Sequence, residues 1–235
     1  MDCPDCGPSA ELAGRREAID RLTGEEERKL RAVHGAALPE RMAQARLPAN
    51  EAVPGPLSEE RRDTFRVNVS AAIDRAMDDP DRPFPETPES AADGAPLIQA
   101  ACGACRGSCC KYGADHAYLY PDHFRRLLRD HPGRSREEIL SDYLSRLPER
   151  AYRDSCVYHT ETGCALPRER RSNLCNTFVC GGLEELVKSQ SREPLPVLAF
   201  CIRDHTSTLV RTAVFDAAGR PILPVTKPAE SSSIG

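Results

Sequence analysis

Apolar residues recur at helical spacing through the first third of the chain and alternate near its end. Leu12, Ile19, Leu22, Leu30 and Val33 sit near the 3.6-residue period, which predicts helix from Ser9 to about Met42. A break is expected at Thr23-Gly24-Glu25-Glu26, where Thr23 can cap a restarted helix and Glu26 completes the capping box. Pro48, Pro54 and Pro56 mark a connecting stretch, after which Ser58 opens a helix carrying Phe65, Val69, Ile73 and Met77 on one side. From Asp78 to Pro96 the prolines and acidic residues leave too little apolar surface to order the chain, so a flexible linker is expected. Ala117–Tyr120 reads as a short extended stretch. Pro121-Asp122 then opens a helix through Phe124, Leu127 and Leu128. Ser135 caps another, with Glu138 in the box position and Ile139, Leu140, Tyr143 and Leu147 aligned. Residues 154–182 look like loop, followed by a helical turn or two at Leu183–Val187. Strand alternation marks Leu209–Phe215, a turn at Asp216–Gly219 and a return over Arg220–Leu223, with a supporting strand near Val197–Ile202.

These elements predict an α+β fold, mostly helical and irregular: a small cysteine-rich metal-binding domain with a C-terminal β-hairpin and an N-terminal helical extension. The expected divisions are a CxxC segment at 1–8, a helical region at 9–78, a Pro-rich linker at 79–96, the metal domain at 97–205, the hairpin packed on it at 206–226, and a disordered tail at 227–235. The 235 residues contain no Trp, 5% aromatic residues and 20 Pro, which argues against one large core. A net charge of −4 gives no global basic field, so nucleic acid is not an expected partner. No run approaches a membrane span, and Met1-Asp2-Cys3-Pro4 lacks the charged and apolar regions of a secretory leader. A soluble protein retained in the cytoplasm, with no membrane partner, is the resulting expectation.

The chemistry lies in the cysteines. Cys102, Cys105, Cys109 and Cys110 form the first group, Cys156 and Cys164 the second, Cys175 and Cys180 the third. Thiolates bind Zn²⁺ and iron–sulfur clusters strongly, and four close one tetrahedral site. The candidate metal ligands are therefore these eight residues, enough for one or two thiolate sites. In a reducing compartment clustered thiols read as ligands rather than disulfides, and an odd total of 11 cysteines also suits a disulfide framework poorly. A C-x2-C turn aims backbone amides at both sulfurs, whereas neighbours such as Cys109 and Cys110 often feed different centres or leave one as a bystander. Two tetrathiolate zincs would carry excess negative charge, and Arg106, Lys111, Arg168, Arg170 and Arg171 are placed in sequence to offset it.

The string CGACRGSCC, followed by CVYHTETGCALPRERRSNLCNTF, resembles the YkgJ-type cysteine-cluster family, described as a zinc- or iron-chelating domain. Cys102, Cys105, Cys109 and Cys110 match its first group with one extra residue before Cys109. Cys156 and Cys164 match the middle pair, Arg171 and Cys175 the closing R-x3-C, and Phe178 the aromatic residue after it. Departures are an added residue between Cys164 and Arg171, and Ser172 and Val179 where prolines are common. Cys180 and Cys201 lie outside the family's usual set and stand as extra candidate ligands. The resemblance covers about 97–182 and implies metal chelation. Flagellin lysine-N-methylases carry a similar cluster, and the resemblance suggests that it can hold an iron–sulfur centre.

The leading reading is thus a protein that chelates zinc or iron, with the metal required for folding. The alternatives are an iron–sulfur-dependent protein-modifying enzyme, and an adaptor that binds another protein through its N-terminal helices beside a structural zinc module. No catalytic residue, phosphate loop or dinucleotide fingerprint is identified. Cys3 and Cys6 could form a half-site completed by another chain or by Cys201 and His205. His159 and His205 lie at ligand-compatible spacing from a cysteine, and His116 could support the ligands from behind. For all three histidines an ordinary hydrogen-bonded role is the simpler reading. The Arg168–Arg171 run, with Arg125, Arg126 and Arg129, lacks interleaved aromatics and reads as a solvated, charge-compensating surface.

Overall fold

The computed structural model describes residue 24 and residues 27–35, 38–84 and 96–226. The expectations for the CxxC segment 1–8, the first helical stretch, most of the 79–96 linker and the tail 227–235 fall outside the described residues. The fold is α+β, with two bodies of packing that meet at the cysteines.

A four-stranded sheet forms the first body, in the order β1 (Ala43–Pro48), β6 (Val197–Arg203), β7 (Leu209–Asp216) and β8 (Pro221–Thr226). β1 runs parallel to β6, and the remaining pairs are antiparallel. The expected supporting strand and hairpin are both present in β6, β7 and β8. β1 is a finding, because helix was expected up to Met42 and linker soon after. Its AQARLP sequence alternates buried Ala43, Ala45 and Leu47 with more exposed partners. The preceding helix, α1, is described over residues 27–34.

Both faces of the sheet are covered. On one, Leu198, Phe200, Ile202, Ala213 and Phe215 pack against Leu97, Ala101, Ala104, Leu183 and Leu186. Those residues come from α3 (Pro96–Cys105) and α7 (Gly181–Arg192). The opposite face sets Ala199, Cys201 and Val214 against Leu30 of α1 and Leu38. α7 runs for 12 residues, longer than the expected turn or two. Its approach to β1 depends on Gly182, since a Cβ there would strike the Arg46 carbonyl.

The second body is helical, built from α2 (Glu59–Asp78), α4 (Pro121–Asp130) and α5 (Arg136–Leu144). Ser58 caps α2 by accepting from the Arg61 amide, and Ser135 and Glu138 form the full capping box on α5. α2 buries Phe65, Val69, Ala72, Ile73 and Ala76 against Phe124, Ile139, Tyr143, Val157 and Tyr158. The Phe65 and Tyr158 rings meet edge to face at 5.2 Å. A small ribbon of β2 (Pro54–Pro56) and β3 (Arg150–Tyr152) closes this side.

Ala117–Tyr120 turns instead of extending, with φ of 50° at Ala117 and 55° at Tyr118. The turn buries Ala117 and Leu119 together, and main-chain bonds from Ala117 to Gly113 (2.6 Å) and from Leu119 to His116 (2.8 Å) hold it. Between residues 154 and 182 the chain is mostly irregular, as expected. It contains the ribbon β4 (His159–Thr160) and β5 (Gly163–Cys164), a single 3₁₀ turn at Arg168–Arg170, and the short α6 (Asn173–Thr177).

Inside the helical body, the Tyr143 hydroxyl donates to the Arg170 carbonyl (3.2 Å) and lies 2.6 Å from His123 Nε2. The single phenol proton is used on Arg170, so His123 is the donor through Nε2, and its buried Nδ1 has no partner. Burial, reinforced by Arg126 and Arg170, pushes the His123 pKa down to about 3.

Two measurements follow from this packing. Gly182→Ala forces α7 off β1 and should cost about 1–3 kcal/mol, the usual range for overpacking, read as a lower urea midpoint at unchanged m-value. For His123 the folded state resists a proton that the unfolded chain accepts below about pH 6.5. Its contribution to stability is therefore intact above that pH. It declines by up to about 1.4 kcal/mol per unit as the pH falls towards 3. His123→Gln, compared with wild type by denaturation across pH 4–7, should flatten that dependence.

Candidate metal centre

The first cysteine group leaves a helix and enters a reversal. Cys102 and Cys105 occupy the last turn of α3, one helical turn apart, so this CxxC is helical, contrary to the tight turn expected from sequence. Arg106 (φ 58°) and Gly107 (φ 63°) then reverse the chain into a 3₁₀ helix, Ser108–Gly113, which carries Cys109 and Cys110. Only glycine suits position 107, because a Cβ would lie 2.7 Å from His159 Nε2 and 3.1 Å from Cys110 Sγ.

The carbonyls ending α3 are all accounted for. Cys102 accepts from the Gly107 amide (3.1 Å), Gly103 from Arg106 (3.2 Å) and Cys105 from Asn50 (2.9 Å). The Asn50 side-chain amide donates to the Arg106 carbonyl at 3.0 Å. Buried Arg211 donates to Ala104 (3.4 Å), Cys105 (3.4 Å) and Asn50 (3.3 Å). Desolvation lowers the Arg211 pKa. Among the described residues no carboxylate forms an ion pair with it, and the Cys105 sulfur is the leading negative influence upon it. Sequence reasoning missed Arg211 and Asn50. A signal was present for the first: Arg211 shares its strand face with apolar Ala213 and Phe215.

The remaining thiols arrive from the irregular segment. The Cys156 amide donates to the Cys110 carbonyl at 3.2 Å, and Gly113 leaves the space beside the Cys156 sulfur. Cys164 lies opposite His159 in the β4–β5 ribbon. Cys175 sits in the first turn of α6, its amide bonded to buried Ser172 (3.2 Å), and Cys180 caps α7. Arg171 anchors this stretch by donating to the Leu166 carbonyl at 2.8 Å.

None of the described cysteines forms a disulfide. Burial pushes the Cys102 and Cys156 thiols up to about 12 and raises Cys105 and Cys175 as well, with neighbouring sulfurs adding to each shift. Cys110 hydrogen-bonds Cys109, which raises the donor and lowers the acceptor. Arg61 lowers Cys156 and Arg171 lowers Cys175. Of the compensating cations expected from sequence, Arg171 therefore acts on a thiol, whereas Arg170 bonds Asp142 (2.9 Å) and Lys111 lies over the Tyr112 ring. Arg61 was not anticipated; it also pairs with Asp115 at 2.6 Å.

The eight predicted ligands influence one another pairwise: Cys102 with Cys105, Cys109 and Cys180, Cys109 with Cys110, and Cys156 with Cys164 and Cys175. Among the described residues, however, no three His, Cys, Asp or Glu side chains are close enough to hold a metal ion as they stand. The donor set still suits a soft metal, being wholly thiol and electrostatically interdependent. Cys201 is separated from it, because it faces the α1 side of the sheet while Cys105 and Cys180 pack on the other. His205 is exposed in the β6–β7 connection, and Cys3 and Cys6 lie outside the described residues. His159 is buried, with Nδ1 2.8 Å from Ser155 Oγ and its pKa pushed down to about 4 by desolvation. His116 stacks on Tyr120 and accepts from the Tyr118 amide (3.0 Å).

Comparison with protein-family models, curated proteins and solved structures finds no match. Among the described residues no helix is long and apolar enough to cross a membrane.

Arg211→Met should leave the Ala104 and Asn50 carbonyls without their donor, the Cys105 carbonyl keeping the Asn50 amide, and cost roughly 2–3 kcal/mol, the scale of charged hydrogen bonds. Arg211→Lys keeps the charge but cannot span all three and should fall between. Thermal denaturation of the two variants beside wild type measures this.

Proposed function

We propose that this chain is a metal-chelating protein of the cysteine-cluster type, which binds zinc or iron through thiolates in the reducing cytoplasm. The observation that carries the reading is that thiols from sequence-distant segments lie near enough to influence one another, with Arg61 and Arg171 acting on Cys156 and Cys175. Burial outweighs these cations and makes the thiols hard to ionise, and a divalent metal would supply further positive charge. Loading requires the side chains to draw inwards, since the thiols are not in ligand geometry as they stand.

The role of the metal differs from that of a lone zinc module. Cys105 and Cys180 are rooted in the apolar cluster on the sheet, Cys156 and Cys164 in the helical one. Each body has its own core, so the metal would join two partly self-sufficient bodies at their seam. Zinc would supply a fixed cross-link, and iron would add a redox-active centre.

Protein purified under reducing, anaerobic conditions should carry stoichiometric zinc or iron by elemental analysis. Visible charge-transfer absorption would identify an iron–sulfur form, and a colourless sample a zinc one. Stripping the metal should lower the melting midpoint strongly and open residues 102–182 to protease, while much of the helical circular dichroism persists. Structural zinc contributes roughly 10–16 kcal/mol in small modules that cannot fold without it. A reduced chain that neither carries nor takes up either metal overturns the reading.

A further inference from the structure

We propose that the cleft between α4 and the chain leaving α2 binds a small organic anion, a carboxylate or phosphate head carried on an apolar body. The site uses none of the thiols and is independent of the metal-binding reading.

The chain after α2 is fastened to α4 at two points. Buried Arg125 donates through Nε to the Asp79 carbonyl (2.7 Å) and through Nη2 to the Arg75 carbonyl (3.2 Å). Further on, the Phe84 ring lies 5.4 Å from the Arg126 guanidinium and 5.0 Å from that of Arg129. Between these points lies a cleft of about 570 Å³, a volume typical of small-molecule sites. Its apolar walls are Pro80, Pro83, Phe84 and Leu128, and its charged lining is Arg82, Arg125 and Arg129 against the single carboxylate of Asp81.

The three arginines are placed differently. Arg125 pairs with Asp122 at 2.5 Å and satisfies the carbonyls ending α2, so packing alone accounts for it. Arg129 meets Asp130 at 3.3 Å in a half-exposed pair that contributes little. Arg82 is exposed and, among the described residues, has neither a hydrogen bond nor an ion pair, so nothing in the packing requires a guanidinium there. With Arg125 compensated by Asp122, Arg82 and Arg129 outweigh Asp81 and leave the cleft positive. Guanidinium forks suit a carboxylate or phosphate, which can accept from them in pairs. The apolar walls beside them need a ligand body to cover them. A bare inorganic ion would leave those walls wet, and a neutral molecule would forgo the guanidiniums.

Titration of the full-length protein with phenyl phosphate and with benzoate, followed by nitrogen–proton correlation spectra, provides the test. At least one should give saturable shifts at residues 80–84 and 125–129, and the tighter of the two identifies the head group. Arg82→Gln should weaken that binding by about tenfold or more, the scale of a charged hydrogen bond, at an unchanged melting midpoint. Arg75→Gln, outside this cleft, should leave binding as in wild type. Three results would overturn the proposal: no saturable shift at these residues with either ligand, full affinity in Arg82→Gln, or equal affinity for inorganic phosphate or for neutral benzyl alcohol.

Discussion

The last carbonyls of a helix have no partners within it, and at the end of α3 their satisfaction determines where the thiols stand. Arg211 from β7 meets the Ala104 and Cys105 carbonyls, and the Asn50 amide, from the chain after β1, meets Cys105 as well. The positive-φ reversal at Arg106 and Gly107 is thereby tied to the sheet, and Cys109 and Cys110 follow from it. Without these bonds α3 would end against buried, unpaired acceptors, and the first cysteine group would have no fixed direction.

The same hydrogen bonds explain why two bodies of different architecture meet here. The sheet delivers Arg211 and, through α7, Cys180. The helical body delivers Cys156 and Cys164 on a backbone that hangs from Cys110 and Ala114. Tyr143 bonds the Arg170 carbonyl and so ties α5 to the turn preceding α6 and Cys175. Cys105 and Cys180 therefore belong to the sheet core, and Cys156 and Cys164 to the helical one.

Much of the local structure was legible because it has local causes. Ser58, Ser135 and Pro121 begin helices where capping chemistry places them, and Leu209–Phe215 alternates as a strand should. β1 was missed because it is short, alanine-rich and followed by prolines, and its partner β6 lies far along the chain. The helical setting of Cys102 and Cys105 was missed for a related reason. The α3 sequence has no strong start signal of its own, and the helix forms because Leu97, Ala101 and Ala104 find the sheet.

The sequence by itself determined the chemistry: the identities and clustering of the thiols, the absence of competing catalytic motifs, and the helices and hairpin that locally encoded caps and periods specify. The tertiary structure alone decided which thiols are neighbours, that Cys201 faces away from the others, and that Arg61, Asn50 and Arg211 stand behind the cluster. The physical reason is one of range. Caps, turns and side-chain alternation act over a few residues, whereas the seam exists only once long-range burial has brought β1, β7, α7 and the irregular segment together.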